Sequence, residues 1–282
     1  MKRIEIKAPA KINIGLNIVS KREDGYHNLE TFFYPIHDLF DHIIFEKADS
    51  FSFKCTLPEL DNGTNLVIKA VRLLEEIKKI HFNVNIICEK NIPVGAGLGG
   101  GSSDAAAVLL SLNEMYHLGL KYEELVTLAL LLGSDVPFFL KSKPAAGKSR
   151  GEILTHLPVE IDRYILLINP RIHISTGEAF SKITPSPSNV EYEKIFSVQK
   201  PDFKNALNGI RNDFEESVFA SHPVIKEIKE KMYESGSCFS LMSGSGSTVY
   251  GFFNTLEEAE KAKSQFPGNY FRFISKPENY FF

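Results

Sequence analysis

Apolar and polar residues alternate from the start of the chain. The stretches RIEIKAP (3–9), KINIGLNIV (11–19), LETFFYPI (29–36), HIIFEKA (42–48) and SFSFKC (50–55) put apolar side chains at about every second position, which predicts a run of strands. The period then changes. In TNLVIKAVRLLEEIKKI (64–80), Leu66, Ala70, Leu73, Leu74 and Ile77 recur at helical spacing, and Thr64 or Asn65 serves as N-cap. HFNVNIICEK (81–90) returns to strand. A helix is expected from about Ser102 to Leu118, and a second in KYEELVTLALLL (121–132), ended by Gly133.

The basic, small-residue-rich segment KSKPAAGKSR (141–150) marks a domain boundary near its end, dividing the chain into 1–150 and 151–282. Beyond it the pattern predicts a strand at RYILLIN (163–169), a helix near STGEAFSKI (175–183) and a polar loop carrying Pro185, Pro187 and Pro201. Helices follow at about 203–219 and 223–235, then strands at SCFSLM (237–242) and TVYGFF (248–253), a helix at TLEEAEKAKSQF (255–266) and a last strand at YFRFIS (270–275). This mixture is α+β, without internal repeats.

With 282 residues, 43% of them hydrophobic, the chain is long enough for two domains or one large one. A formal net charge of −3 gives no general basic field for nucleic acid or an anionic membrane, so an anionic ligand must be held by a local site. Cys55, Cys88 and Cys238 are odd in number and form no Cys-x-x-Cys pair, and the eight histidines lack metal-ligand spacing. No cleavable leader pattern opens the chain and no apolar run reaches the length of a membrane span, so a cytoplasmic setting is the default expectation.

The chemistry concentrates in NIPVGAGLGGGSSDAAA (91–107), which has five glycines between Gly95 and Gly101 and lies between a strand and a helix. Glycine leaves backbone N–H groups unshielded, and the start of a helix adds its own free N–H groups and positive partial charge. Together they make an anion cradle suited to phosphate. It is not a Walker loop, because no Lys-Ser/Thr ends it. The Gly-Lys-Ser at 147–149 has Ser142 where that motif needs glycine, and no helix pattern after it. A dinucleotide fingerprint fails too, since no second βαβ unit follows.

The loop resembles the second motif of the GHMP kinases, through Pro93, Gly97, Leu98, Gly99, Ser102 and Ser103. APAKINIGL (8–16) resembles their first motif and LMSGSGSTVYGFF (241–253) their third, in the right order. KREDGYHNLET (21–31), GLGGGSSDAAAVL (97–109), LGSDVPFFL (132–140) and NDFEESVF (212–219) are similar to the diphosphocytidyl branch of that family. The resemblance implies a two-domain α+β GHMP kinase fold, with an N-terminal domain like domain two of ribosomal protein S5 and a ferredoxin-like C-terminal domain. It implies transfer of the γ-phosphoryl of ATP, accompanied by Mg²⁺, to the 2-hydroxyl of diphosphocytidyl methylerythritol, in non-mevalonate isoprenoid synthesis. No protein ligand of the metal is identified.

By the same resemblance, the nucleotide contacts are Pro93, Val94, Gly95, Ala96, Gly97, Leu98, Gly99, Gly100, Gly101, Ser102, Ser103 and Asn65. Asp135 reads from its surroundings as a helix cap; the resemblance makes it the acceptor of the hydroxyl proton, with Lys11 beside it keeping it ionised and offsetting developing charge. Asn13, two residues along the strand from Lys11, is a substrate contact. Tyr26 stacks on the cytosine, His27 bonds its polar edge, Phe180 covers the other face and Thr176 lines the pocket, although a phenylalanine at 180 reads equally well as core. Gly244 and Ser245 approach the substrate's phosphates. Asp104 in the first helical turn should repel a triphosphate, so it points aside or faces the metal.

Two rival readings remain: a homoserine- or mevalonate-type kinase, which would not need Tyr26, His27 and Phe180, and a catalytically silent ligand-binding relative, which would not need Lys11 and Asp135.

Overall fold

The computed structural model describes residues 3–198, 201 and 207–277. The first two strands are much longer than the alternation suggests: β1 spans Arg3–Lys21 and β2 spans His27–Lys47. Each merges two expected strands. In β1 every residue from Ala8 to Ile18 is buried, so the strict in–out alternation used to delimit strands lapses in its middle. Pro9 does not break it, because among the described strands β1 pairs only with β2, and a proline is tolerated on an edge strand.

The chain forms two compact units that interleave along the sequence rather than meeting at one cut near residue 150. One comprises the chain up to Ala10, Leu39–Val94 and Gly99–Ser142; the other comprises Lys11–Asp38, Gly95–Leu98 and the chain from Lys143 onward. The physical reason lies in the long strands, whose two halves each belong to a different unit.

In the first unit, β3 (Ser52–Cys55) runs parallel to β4 (Val84–Glu89), which pairs antiparallel with the end of β2. Helix α1 (Leu66–Lys78) is capped by Asn65, whose side chain accepts from the Val67 N–H at 2.9 Å, so Asn65 and not Thr64 is the N-cap. α1 packs on α2 (Gly100–Met115), which also touches α3 (Tyr122–Leu132) and the short α4 (Val136–Phe139). Ala105, Ala106, Ala107, Val108 and Leu109 are all buried, which makes α2 the central helix of this unit.

In the second unit, β5 (Ala145–Ser149) pairs with the first half of β2 and with β6 (Ile153–His156). The segment expected to be a boundary is thus a buried strand. Its small residues answer a packing demand: Ala145 and Ala146 face Phe33 and Phe32 across the ladder, and a Cβ on Gly147 would lie 2.7 Å from the Phe33 ring. A separate antiparallel sheet is made by β7 (Tyr164–Asn169), β8 (Phe239–Met242), β9 (Val249–Phe253) and β10 (Phe271–Ser275), in the order β10-β7-β9-β8. With its crossing helices this is the split βαβ arrangement of a ferredoxin-like domain.

Among the described residues, the helices of this unit are α5 (Thr176–Ser181), α6 (Tyr192–Ile195), α7 (Glu215–Ser221), α8 (Pro223–Glu234) and α9 (Leu256–Ser264). α8 packs on β8 and β9, and α9 on β7, β9 and β10, around a core that includes Ile168, Ile225, Met232, Val249 and Phe253. Of the helix expected over about 203–219, residues 203–206 lie outside the described residues, and the described helix starts only at Glu215.

Because the Phe33 ring is fully buried and cannot move aside, Gly147→Val is expected to destabilise the protein by about 1–3 kcal/mol through overpacking. A lowered urea midpoint at unchanged m-value would show it.

Candidate active site

The glycine loop is anchored by its apolar residues and opened by its glycines. Ile92, Ala96 and Leu98 are buried, while Val94 and Gly95 are exposed and Pro93, Gly97 and Gly99 half-buried. Gly95, Gly97 and Gly99 have φ of 63°, 76° and 72°, the left-handed region that side chains disfavour. At Gly97 space is decisive as well, since an added Cβ would lie 2.0 Å from the Ser243 carbonyl oxygen. Gly99 caps α2 with no side-chain hydrogen bond, so the first N–H groups of that helix meet no side-chain cap. Gly100 and Ser103 are buried, Ser102 is half-buried and Gly101 exposed. The Ser103 hydroxyl is buried without a hydrogen-bond partner. Asn65 spends both ends of its amide locally, on the Val67 N–H and the Leu60 carbonyl.

Two distant segments of the second unit, around Lys11 and around Ser243 to Thr248, converge on the loop. The Lys11 N–H donates to the Leu98 carbonyl (2.9 Å) and the Thr248 N–H to that of Ala96 (3.2 Å). The Lys11 ammonium, itself buried, donates to Asn13 Oδ1 (2.6 Å) and to the Gly97 carbonyl (3.2 Å), and lies 5.6 Å from the centre of the Phe33 ring. Ser243 Oγ donates to the same Gly97 carbonyl (2.9 Å) and accepts from the Asn13 N–H (3.2 Å). Gly244, at φ 56°, sits against this network, where a Cβ would come 3.3 Å from the Gly97 oxygen. Ser245 and Thr176 share a hydroxyl–hydroxyl hydrogen bond of 3.2 Å.

The aromatic residues assigned to the cytosine make contacts within the protein. His27 stacks on Phe180 with ring centres 4.9 Å apart, and Phe180 in turn meets Phe214 edge-on at 4.8 Å. Tyr26 is half exposed, with the guanidinium of Arg150 over one face of its ring at 3.6 Å. Burial, together with the positive charge of Lys21, holds the His27 imidazole below its ordinary pKa, so it is neutral at pH 7 with one donor and one acceptor nitrogen. Asp135, half-buried, immediately precedes α4, and its side chain makes no cap bond to that helix.

In the first unit, Asp104 points aside from the loop into a buried ion cluster. The Lys90 ammonium donates to Asp104 (2.7 Å) and to Asp41, and Asp41 also accepts from the N–H groups of Asn91 (2.6 Å) and Ile92 (2.9 Å). The cluster thus fixes the start of the loop to the first turn of α2. Burial works against the Lys90 charge, but Asp104 and Asp41 outweigh it and raise its pKa. For Asp104, burial prevails over the attraction of Lys90, and the like charge of Asp41 adds to it, pushing the carboxyl up to about 7.

Several positioning residues escape a reading of the sequence. Asn212 donates to the carbonyls of Met242 (2.7 Å) and Gly244 (2.8 Å), which shapes the 243–247 loop. Asp213 accepts from the Ile18 N–H (2.7 Å) and Glu215 from the Met242 N–H (2.9 Å). These acceptors and donors account for NDFEE as a motif. Arg150 and Lys90 were legible only as basic residues near a loop. Among the described residues, no group of three or more His, Cys, Asp or Glu side chains could hold a metal ion, and no helix is long and apolar enough to cross a membrane.

Comparison with known proteins places these features in a family. The profile of the GHMP kinases N terminal domain matches residues 65–143, and that of the GHMP kinases C terminal domain matches residues 197–272. A 4-diphosphocytidyl-2-C-methyl-D-erythritol kinase of Bacteroides fragilis is 42% identical over 258 residues, covering 89% of this chain and 93% of the relative. One from Chlorobium limicola is 41% identical over 271 residues, covering 92% and 91%. The crystal structure of a 4-(cytidine 5'-diphospho)-2C-methyl-D-erythritol kinase superposes with a TM-score of 0.78 at 34% identity, covering 93% of this chain and 94% of that one.

The ion cluster gives a pH test. The folded-state pKa of Asp104 lies above the roughly 3.9 of an unfolded aspartate, so between these values the folded protein holds a proton that the unfolded chain has released. The stability this group contributes is full below about pH 4 and lost as pH rises through about 7. Asp104→Asn lacks that loss, so wild type should lose ground to the variant in urea midpoint between about pH 4 and 7 and hold level above that. A difference that stays constant over this range would show that Asp104 is ionised throughout.

Proposed function

This chain belongs to the GHMP kinases, and we propose that it transfers the γ-phosphoryl group of ATP to the 2-hydroxyl of 4-diphosphocytidyl-2-C-methyl-D-erythritol. The observation that carries this reading is the 42% identity, over nearly nine-tenths of the chain, to a kinase named for that substrate. The products are the 2-phosphate and ADP, within the non-mevalonate route to isoprenoid precursors. A nucleotide-linked substrate suits the cytoplasm.

The loop fits a nucleoside triphosphate. Its left-handed glycines and the uncapped start of α2 offer backbone N–H groups to phosphate oxygens, and the buried, unpartnered Ser103 hydroxyl is free to join them. Pro93 to Ser103 are its binding residues, with Asn65 supporting α1. When bound with ATP, Mg²⁺ supplies positive charge to the β- and γ-phosphates.

The acceptor is a tertiary alcohol, a weak nucleophile. Asp135 orients the hydroxyl and takes its proton as the new O–P bond forms and the β,γ-bridging bond breaks, leaving ADP. Lys11 offsets the negative charge spreading over the transferring group. Asn13 holds Lys11 through its Oδ1, which supports an anchoring role beside its substrate contact. The cytosine is selected by Tyr26, His27 and Phe180: the rings give stacking surface, and a neutral imidazole can bond the polar edge of the base. Thr176 lines the same cytosine pocket, and Gly244 and Ser245 approach the substrate's phosphates.

ADP release with MgATP is measured against diphosphocytidyl methylerythritol, mevalonate and homoserine in parallel. Turnover is expected with the first alone. Asp135→Asn should lower kcat by roughly 10²–10⁴-fold with KM little changed. Tyr26→Ala should raise the KM of the cytidylyl substrate about tenfold through lost stacking. Turnover with mevalonate or homoserine instead would keep the ATP loop and discard the cytosine pocket.

A further inference from the structure

Thr31 lies in β2 with its side chain wholly buried, opposite Gly147 in the ladder to β5. A valine would fill the same volume without a hydroxyl to satisfy, so the polar atom calls for a reason. Thr31 Oγ1 donates to the Gly15 carbonyl at 2.6 Å and accepts from Asn13 Nδ2 at 2.9 Å.

These two bonds have a fixed direction. A hydroxyl carries one proton. Gly15 lies within β1 with φ of 86°, where an added Cβ would run into the Tyr192 hydroxyl, and its carbonyl accepts the Thr31 hydroxyl proton in a hydrogen bond. The oxygen lone pairs are then what Thr31 can show to Asn13, and only the NH₂ end of the amide can bond to them. Asn13 Oδ1 is thereby turned the other way, onto the Lys11 ammonium at 2.6 Å. With the amide reversed, an NH₂ group would face the ammonium, donor against donor.

We infer that Thr31 is a positioning residue for phosphoryl transfer: its committed hydroxyl fixes the orientation of the Asn13 amide, and through it the place of the Lys11 ammonium. This rests on the assignment of Lys11 to the transfer step. Thr31 itself touches neither substrate, and its effect falls on kcat.

The test compares the kinetics of five variants with wild type: Thr31→Val, Thr31→Ser, Asn13→Ala, the Thr31→Val/Asn13→Ala double variant and Lys11→Met. Thr31→Val should lower kcat about tenfold, the order expected for one lost charge-assisted hydrogen bond, with the KM of both substrates within about twofold. Thr31→Ser keeps the hydroxyl and should recover most of kcat. In the Asn13→Ala background Thr31→Val should add no further loss, because its path to Lys11 is already cut. Full kcat in Thr31→Val, or the same loss with and without Asn13, overturns the inference. Full activity in Lys11→Met instead overturns the role given to Lys11, whatever Thr31 does. Thermal melts of each variant separate a general loss of folding, which Thr31→Ser would share only weakly, from the loss of kcat.

Discussion

The carbonyl oxygen of Gly97 organises the second unit. It accepts from the Lys11 ammonium and from the Ser243 hydroxyl, and the backbone on either side of it is bonded to Lys11 and Thr248. A backbone acceptor can serve two donors only if nothing covers it, and the contact is so tight that residue 97 has no room for a side chain. Segments near residues 11, 97 and 243 are thus registered to one another through shared hydrogen bonds. Such fixing suits electrostatic stabilisation, because its benefit depends on charges being in place before reaction.

The first unit solves a related problem with charge. Asp41, Lys90 and Asp104 are all taken out of water, and a buried ion cluster is seldom the most stabilising way to fill a core. Its return is geometric. The ammonium fastens the residue before the loop to the helix after it, and Asp41 fastens the next two N–H groups. A hydrophobic replacement could hold the same elements together without fixing the direction of the backbone that enters the loop.

The sequence revealed more of the fold than of the fine construction of the site. Helix α1 and helix α9 carry side-chain caps and a regular period, and both were legible because local signals and tertiary packing agree. β1 and β2 were read as pairs of short strands since continuous burial erases alternation. Ala145, Ala146 and Gly147 read only as part of a segment near a domain boundary, because small residues say nothing about the large rings that require them to be small. The three motifs, the glycine loop among them, were recognisable by their resemblance to a known family. By contrast Thr31 is an ordinary strand residue by propensity, and Asn212 an ordinary turn residue; their importance lies in partners far along the chain.

The interleaving of the two units bears on how the molecule comes into being. Asn13 bonds to Ser243 and Tyr250, 230 and 237 positions away, and Leu16 bonds to Arg211. A ribosome exposes the amino-terminal strand long before those partners have been polymerised. The strand can pair with β2 at once, but the contacts of Leu16 and Asn13 must wait until Arg211, Ser243 and Tyr250 have emerged, and closing so long a loop is slow. The second unit therefore completes its sheet contacts late in synthesis, however early its first strand appears.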